Sequence, residues 1–369
     1  MRVAVLGAGG TIAPAIVRDL AESEEVQSLL LLDLDVERAE RVAVDHGAGR
    51  ASAARADATA DASAPDSLFA ALEGCDVLVN SASYRVNLSA MDACLTAGAH
   101  YLDLGGLYWM TGRQLERSLE FEGAGLLALL GVGSAPGKTN LLAQWAMEQL
   151  GGTAESIHVS AAGRDLDPPD GFSVPYALRT IVDELTLEPI VLRAGRAVEV
   201  EPLSPGGPVE FGDPIGRAET IYTLHSELRS FGESFGCREA SFRLSLSPAV
   251  LERVKELSSA PQEEIDRAAR EALPPSPRTV AVHLVEAEAN GRTASVRAVT
   301  EPMPDWGIGG GVVSTAAPAA AAVRLLARGR VTARGALPPE RCLNRHEMFT
   351  ELERRGCRFE INVEEATRA

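Results

Sequence analysis

Over the first 150 residues, short apolar runs that stop at glycine or a carboxylate alternate with longer stretches of helical periodicity. Arg2–Gly7 (RVAVLG) reads as a buried strand, and Thr11–Ser23 then carries apolar side chains three and four positions apart. Ser28–Asp35 is a second buried run, followed by an amphipathic stretch in which Val36, Ala39, Val42 and Ala43 share one face. The alternation continues through ASAARAD, Cys75–Asn80, LSAMDACLTAG, His100–Leu104, a helix around Gln114–Glu122 and the apolar run Leu126–Gly133. Strands alternating with helices predict right-handed βαβ units and a mostly parallel sheet covered on both faces, the α/β doubly wound class.

Beyond about residue 150 the texture changes. Residues 165–214 are rich in proline and glycine, and Thr279–Glu301 holds two period-two runs separated by Asn290-Gly291, a strong hairpin signal. This half is therefore expected to be α+β. One acidic helix is predicted over Pro248–Leu273. A glycine-rich loop, DWGIGGG, leads into an alanine-rich helix that Pro318 is expected to perturb. A helix near His346–Arg355 and a strand in CRFEINV close the chain. The hairpin strand AVHLVEAE has two open placements, an edge that extends a sheet between subunits or an internal position.

The 369 residues suggest two domains at ~100 to 200 residues each. With 35 basic against 52 acidic side chains the net charge is −17, which disfavours nucleic acid and anionic membrane surfaces and points to small-molecule partners. No apolar run approaches the ~18 residues expected of a membrane helix, and MRVAVLGAGG reads as a strand and not a leader. The five cysteines are scattered, with no CxxC and no Cys/His cluster. Neither a disulfide framework nor a metal site is expected, and the location expected is cytoplasmic.

The chemistry-bearing residues lie at the strand ends. Gly7, Gly9 and Gly10, with Thr11 and Ile12 opening the next helix, form a turn on which backbone amides can meet a pyrophosphate. Ile12 stands where the third glycine of GxGxxG would be, and Gly7, Gly10 and Ala13 fit a looser register. Asp33, ending the second strand, is placed to accept the adenosine ribose hydroxyls, which favours NAD, while Arg38 and Arg41 leave NADP possible; a helix cap is the alternative role for Asp33. Asp57 is a candidate for the adenine amino group or a solvated loop acid. In open sheets the nicotinamide lies beyond the carboxyl ends of the strands, here Asn80-Ser81-Ala82-Ser83-Tyr84, Asp103-Leu104-Gly105-Gly106 and Gly133–Asn140. Lys138, one of two lysines, is a candidate for proton transfer or for binding a carboxylate, against the ordinary alternative of a solvated lysine.

YLDLGG, GVGSAPGKTN and LLARGRVTARGALPPE together resemble the saccharopine dehydrogenase family, and within it the bacterial lysine 6-dehydrogenases. The likeness is strongest over residues 1–150 and 320–356. It matches at Gly7, Gly9, Asp33, Asp103-Leu104-Gly105-Gly106, Pro136-Gly137 and Asn140. It departs at Ile12 and at Lys138, where those enzymes carry an apolar residue. The resemblance implies a Rossmann domain over 1–135, an inserted α+β substrate and dimerisation domain over 136–310, and a segment 311–369 that returns to the first. It also implies a homodimer and oxidation or reduction at a carbon bonded to an amino-acid nitrogen, with NAD or NADP. His225-Ser226-Glu227 resembles a His-Ser-Glu stretch found in such proteins.

The functional expectation is a lysine 6-dehydrogenase-like oxidative deamination: hydride leaves the amine-bearing carbon and water hydrolyses the imine. Alternatives are imine reduction of the saccharopine reductase or carboxynorspermidine dehydrogenase kind, and a non-catalytic NAD-binding sensor. His225, Asp103, Tyr84 and Glu227 are the candidate acid–base groups, since amine chemistry needs a group that moves the nitrogen's proton. Asn80, Ser81, Ala82 and Gly105 are expected to line the cofactor. Arg179, Arg229 and Arg243 are candidates for a substrate carboxylate.

Overall fold

The fold is that of a computed structural model, which describes residues 1–365. The chain divides into two compact units, residues 1–137 with 315–352, and residues 138–314 with 353–365. Six strands precede the first crossing: β1 Arg2–Leu6, β2 Ser28–Asp33, β3 Ala51–Arg55, β4 Val77–Asn80, β5 His100–Asp103 and β6 Leu127–Leu129. Eight follow: β7 Ser156–Asp165, β8 Ile190–Arg193, β9 Arg196–Glu199, β10 Pro205–Glu210, β11 Arg217–Tyr222, β12 Glu239–Ser245, β13 Thr279–Ala289 and β14 Arg292–Thr300. β15 Gly335–Leu337 and β16 Cys357–Glu365 come last.

In the first unit a seven-stranded sheet runs β15-β6-β5-β4-β1-β2-β3. Every neighbouring pair is parallel. This is the doubly wound order with its switch point between β1 and β4, where such sheets bind their ligands. β1 is internal, and Val3, Ala4, Val5 and Leu6 are at most 3% exposed because both sheet faces are covered. Asp35 caps the helix Val36–His46 by accepting from the Arg38 amide, and Gly98, at φ 69°, ends the helix Asn87–Ala97. The helix expected around Gln114–Glu122 is two, Leu107–Leu115 and Ser118–Gly123, joined at Glu116–Arg117.

The second unit is built on a nine-stranded mixed sheet of order β10-β11-β12-β7-β13-β14-β16, with β8 pairing β12 and β9. Asn290 and Gly291, both at positive φ, close the β13–β14 hairpin in register Ala289 to Arg292. β13 is internal, paired on both sides by β7 and β14, so the edge placement is ruled out. β16 departs from the expected return to the first unit. Its alternating residues pair with β14 over nine positions, and the ladder satisfies both backbones. Residues 315–352 lie with the first unit, and 366–369 fall outside the described residues.

The acidic helix predicted over Pro248–Leu273 is also two, Pro248–Leu257 and Gln262–Glu271. Pro261, with no N–H to continue a helix, stands as the cap of the second. Conversely, the helix Gly310–Ala327 runs unbroken through Pro318. Its 18 residues meet the length and hydropathy of a membrane span, yet most are buried within the fold, as core helices are.

Candidate active site

The first unit provides a cradle of bare backbone at the switch point. Gly7, at φ 75°, turns the chain out of β1, and a Cβ there would lie 2.7 Å from the backbone of Ala82. The Gly10 amide donates to Gly7 O at 3.0 Å and tightens the turn. A Cβ on Gly9 would meet Arg38 Cβ at 2.9 Å and Asp33 Oδ2 at 3.2 Å. Gly10 and Thr11 are exposed at the tip. Ile12 is the N-cap of Ala13–Ala21 without a side-chain cap bond, so no side chain competes for the helix's first amides. Ala13, fully buried, holds the close helix–sheet contact, which favours the Gly7, Gly10, Ala13 register. These features fit a dinucleotide pyrophosphate.

Asp33 ends β2, accepting from the Gly9 amide through Oδ2 at 2.8 Å and from the Asp35 amide through Oδ1 at 2.9 Å. The helix cap is Asp35, so the capping alternative for Asp33 falls and each of its oxygens keeps a lone pair. Asp57 accepts from the amide and hydroxyl of Thr59 at 2.8 and 2.7 Å, an Asx turn whose hydrogen bonds lower its pKa.

At the ends of β4 and β5 a buried polar network fixes the loops. Asn80 Nδ2 donates to Asn87 Oδ1 and to the Tyr101 hydroxyl, and its Oδ1 accepts from the Ala82 amide. Ser81 Oγ donates to Leu6 O at 2.8 Å, tying β4 to β1. Asp103 is 1% exposed and takes five donors: Gln114 Nε2 at 2.6 Å, the Tyr101 hydroxyl, Asn87 Nδ2, and the amides of Gly105 and Gly131. Burial still holds it above the ordinary carboxylate range. With both oxygens occupied, Asp103 positions the two glycine loops and has no free lone pair with which to serve as an acid–base group. Tyr84 is half-buried in the single turn Tyr84–Val86, with the Arg85 guanidinium 4.9 Å from its ring centroid.

The second unit brings His225 and Glu227 together and adds residues that the sequence did not single out. Nδ1 of His225 lies 3.1 Å from Glu227 Oε2, and Nε2 lies 3.8 Å from Glu184 Oε1. The imidazole stacks on Phe242 of β12 with centroids 3.5 Å apart. Thr139 Oγ1 donates to Glu227 Oε1 at 2.8 Å, and the Tyr176 hydroxyl donates to Glu184 Oε2. Burial pulls His225 down, but Glu227 and Glu184 outweigh it and raise its pKa. Burial raises Glu184, with His225 and Tyr176 opposing. Two carboxylates around one imidazole leave this centre acidic and suited to holding a proton or a cationic nitrogen.

Lys138 contradicts the solvated reading. It opens the helix Lys138–Leu150 at 1% exposure, and its Nζ donates to Thr300 Oγ1 at 3.0 Å and Ser314 Oγ at 2.6 Å. Of the three arginines, Arg179 pairs with Asp266 and Arg243 with Glu286, whereas Arg229 forms no ion pair among the described residues. His283 had a readable signal: it interrupts the buried period-two row Ala281, Val285, Ala287, Ala289. Glu184 gave none beyond adjoining Ile181 and Leu185 on an apolar helix face.

These features define a dinucleotide-binding Rossmann unit joined to an α+β unit with buried acid–base groups. Residues 3–129 match the family model described as the saccharopine dehydrogenase NADP binding domain. A carboxyaminopropylagmatine dehydrogenase of Synechocystis is 25% identical over 273 residues, 72% of this chain and 67% of that protein. A solved saccharopine dehydrogenase (L-Glu forming) from Saccharomyces cerevisiae superposes with a TM-score of 0.73 at 15% identity, covering 98% of this chain and 99% of the other, a likeness of fold. Residues 3–129 therefore form an NAD(P)-binding domain of the saccharopine dehydrogenase type, and the chain as a whole shares the fold of that solved enzyme.

Proposed function

We propose that the enzyme interconverts an amine and an imine at the carbon–nitrogen bond of an amino acid or a carboxylate-bearing amine, with NAD as the preferred cofactor. The observation that carries this reading is His225 held between the buried carboxylates of Glu184 and Glu227. A bound nicotinamide cofactor would supply the hydride donor or acceptor. The chain supplies the rest: Gly7, Gly9, Gly10 and Thr11 hold the pyrophosphate, Asp33 the ribose hydroxyls, and Asn80, Ser81, Ala82 and Gly105 the strand ends beside the ring. His225 gives the nitrogen its proton in the reductive direction and removes it in the oxidative one. Glu227 orients the ring, and Glu184 stabilises the imidazolium.

The oxidative version, lysine 6-dehydrogenase-like deamination, is supported by the resemblance of YLDLGG and GVGSAPGKTN. The reductive version, hydride addition to an imine formed from an amine and a carbonyl compound, is supported by the Synechocystis relative, a carboxyaminopropylagmatine dehydrogenase. Near-ultraviolet absorbance of the reduced nicotinamide separates them. The enzyme is incubated with NAD or NADP and a panel of amino acids and amines, lysine and saccharopine included, and in reverse with amines plus aldehydes or keto acids. Turnover only of condensed pairs selects the reductive version, and turnover of lysine selects the oxidative one. Silence throughout, with NAD bound tightly, sinks both and leaves an NAD-binding sensor. A homodimer, as the family resemblance implies, is checked by light scattering on the same preparation.

A further inference from the structure

We propose that Lys138 Nζ, with His283 Nδ1, forms a buried subsite for a carboxylate of the substrate. The inference rests on the amine-oxidoreductase reading and adds the anionic end of its ligand. A buried ammonium costs several kcal/mol unless an anion answers it. No carboxylate pairs with Lys138 among the described residues: its hydrogen-bond partners are the neutral hydroxyls of Thr300 and Ser314, which leaves one of its three donors unused. The titratable neighbour on this side is the Cys357 thiol, 3.5 Å from Thr300 Oγ1.

His283 is the second, independent observation. It is 5% exposed, and its Nδ1 finds no hydrogen-bond partner. The β13–β14 register pairs Ala281 with Thr300 and His283 with Ala298, so Thr300 and His283 lie on one sheet face, and Thr300 is the Lys138 ligand. Burial, then the charges of Lys138 and His225, push His283 well below the ordinary histidine range. Burial likewise lowers Lys138, with Cys357 opposing.

A carboxylate would replace neutral acceptors with a charged one, giving Nζ a charge-assisted bond and filling the vacant capacity of His283. Lysine's four-carbon stem lets the ammonium move to meet it. An anion beside these two groups favours their protonated forms, so its binding is expected to be accompanied by proton uptake. The opposite pole, Glu184 and Glu227 around His225, suits the cationic end of the same class of ligand, an amino acid or amino-carboxylate.

The test uses the full chain with NAD bound and glutarate as the probe, which requires no turnover. Calorimetric titrations in buffers of different ionisation heat read affinity and proton uptake together. Wild type and Arg229→Met are expected to bind glutarate with proton uptake, and Lys138→Met to bind at least tenfold more weakly. Lys138→Met removes an unpaired buried charge at nearly constant length, so its melting temperature should hold or rise. Should it misfold, Lys138→Gln replaces it. Wild-type affinity in the Lys138 variant, loss in Arg229→Met instead, or no glutarate binding to wild type overturns the subsite. Where amines turn over, lysine against cadaverine, identical but for the carboxylate, should lose its kcat/KM discrimination in Lys138→Met. Glutarate binding without turnover of any amine would sink the enzymatic reading and leave the subsite standing.

Discussion

At the scale of single residues, Asp33 and His225 carry the sharpest consequences. Asp33 accepts one backbone amide on each carboxylate oxygen, so each oxygen keeps a lone pair for a ligand. A charge-assisted bond to a ribose hydroxyl is worth ~1.5 to 3 kcal/mol, so Asp33→Ala should weaken NAD about ten- to a hundredfold while changing NADP far less. Equal losses in calorimetric titration would mean that Asp33 only supports the turn. His225 is raised in the fold by Glu227 and Glu184. Its charged form therefore contributes stability that is fully present below the ordinary histidine pKa and is lost as pH rises through the higher folded value. Glu227→Gln should move the ring titration toward lower pH, followed by NMR of the imidazole, and flatten that pH dependence of unfolding. An unmoved titration would separate the two groups electrostatically. Both residues stood out as candidates in the sequence, Asp33 from its place at the end of a buried strand and His225 from the His-Ser-Glu stretch. The true setting of Asp103 and Lys138 was not, because burial depends on what packs from elsewhere: Gln114 and Gly131 for the first, Thr300 and Ser314 for the second.

Among elements, the least obvious tie joins three helices of the first unit. Arg324, on Gly310–Ala327 and 2% exposed, donates to Asp19 on Ala13–Ala21 at 2.7 Å and to Glu351 on Arg345–Glu353 at 2.7 Å. Arg328 extends the network to Glu25, whose carboxyl, despite burial, is held down at about 2 by Ser23 and Arg328. Removing one member of a buried pair strands the others, at about 3 to 5 kcal/mol. Arg324→Met should therefore cost that much in urea unfolding, while Arg18→Met, at the exposed Arg18–Glu22 pair, should change stability by under ~1 kcal/mol. Equal effects would remove the tie. Strands and the hairpin were readable one by one because each carries its own period and stop signal. Helix ends were less so: the break before Pro261 has a local signal, whereas the passage through Pro318 is set by packing around an alanine-rich core helix that sequence periodicity does not encode.

For the whole molecule, the first unit is assembled from two stretches of chain far apart in sequence, and neither can be complete alone. β15 pairs in parallel with β6 as the seventh strand, Ser118 Oγ accepts from the Ala336 amide at 3.0 Å, and Arg324 answers Asp19. A fragment ending at Gly137 would leave the β6 edge unpaired and Asp19 buried without its cation, both of which oppose a stable monomer. Residues 1–137 alone should therefore aggregate or melt without a cooperative transition. Ser134 Oγ lies 3.1 Å from Thr315 Oγ1, so the two stretches meet close to the excision point, and a linker of about eight residues, at ~3.3 Å each, spans it with slack. The linked protein, 1–137 joined to 315–352, should unfold cooperatively and bind NAD within about tenfold of the full chain, since the glycine turn and Asp33 lie wholly within it. Circular dichroism melts and NAD titration on both proteins decide the matter. Native-like melting and full NAD affinity in 1–137 alone would mean that the later segment only decorates a finished domain. Failure of the linked protein as well would mean that the first unit depends for its stability on residues 138–314.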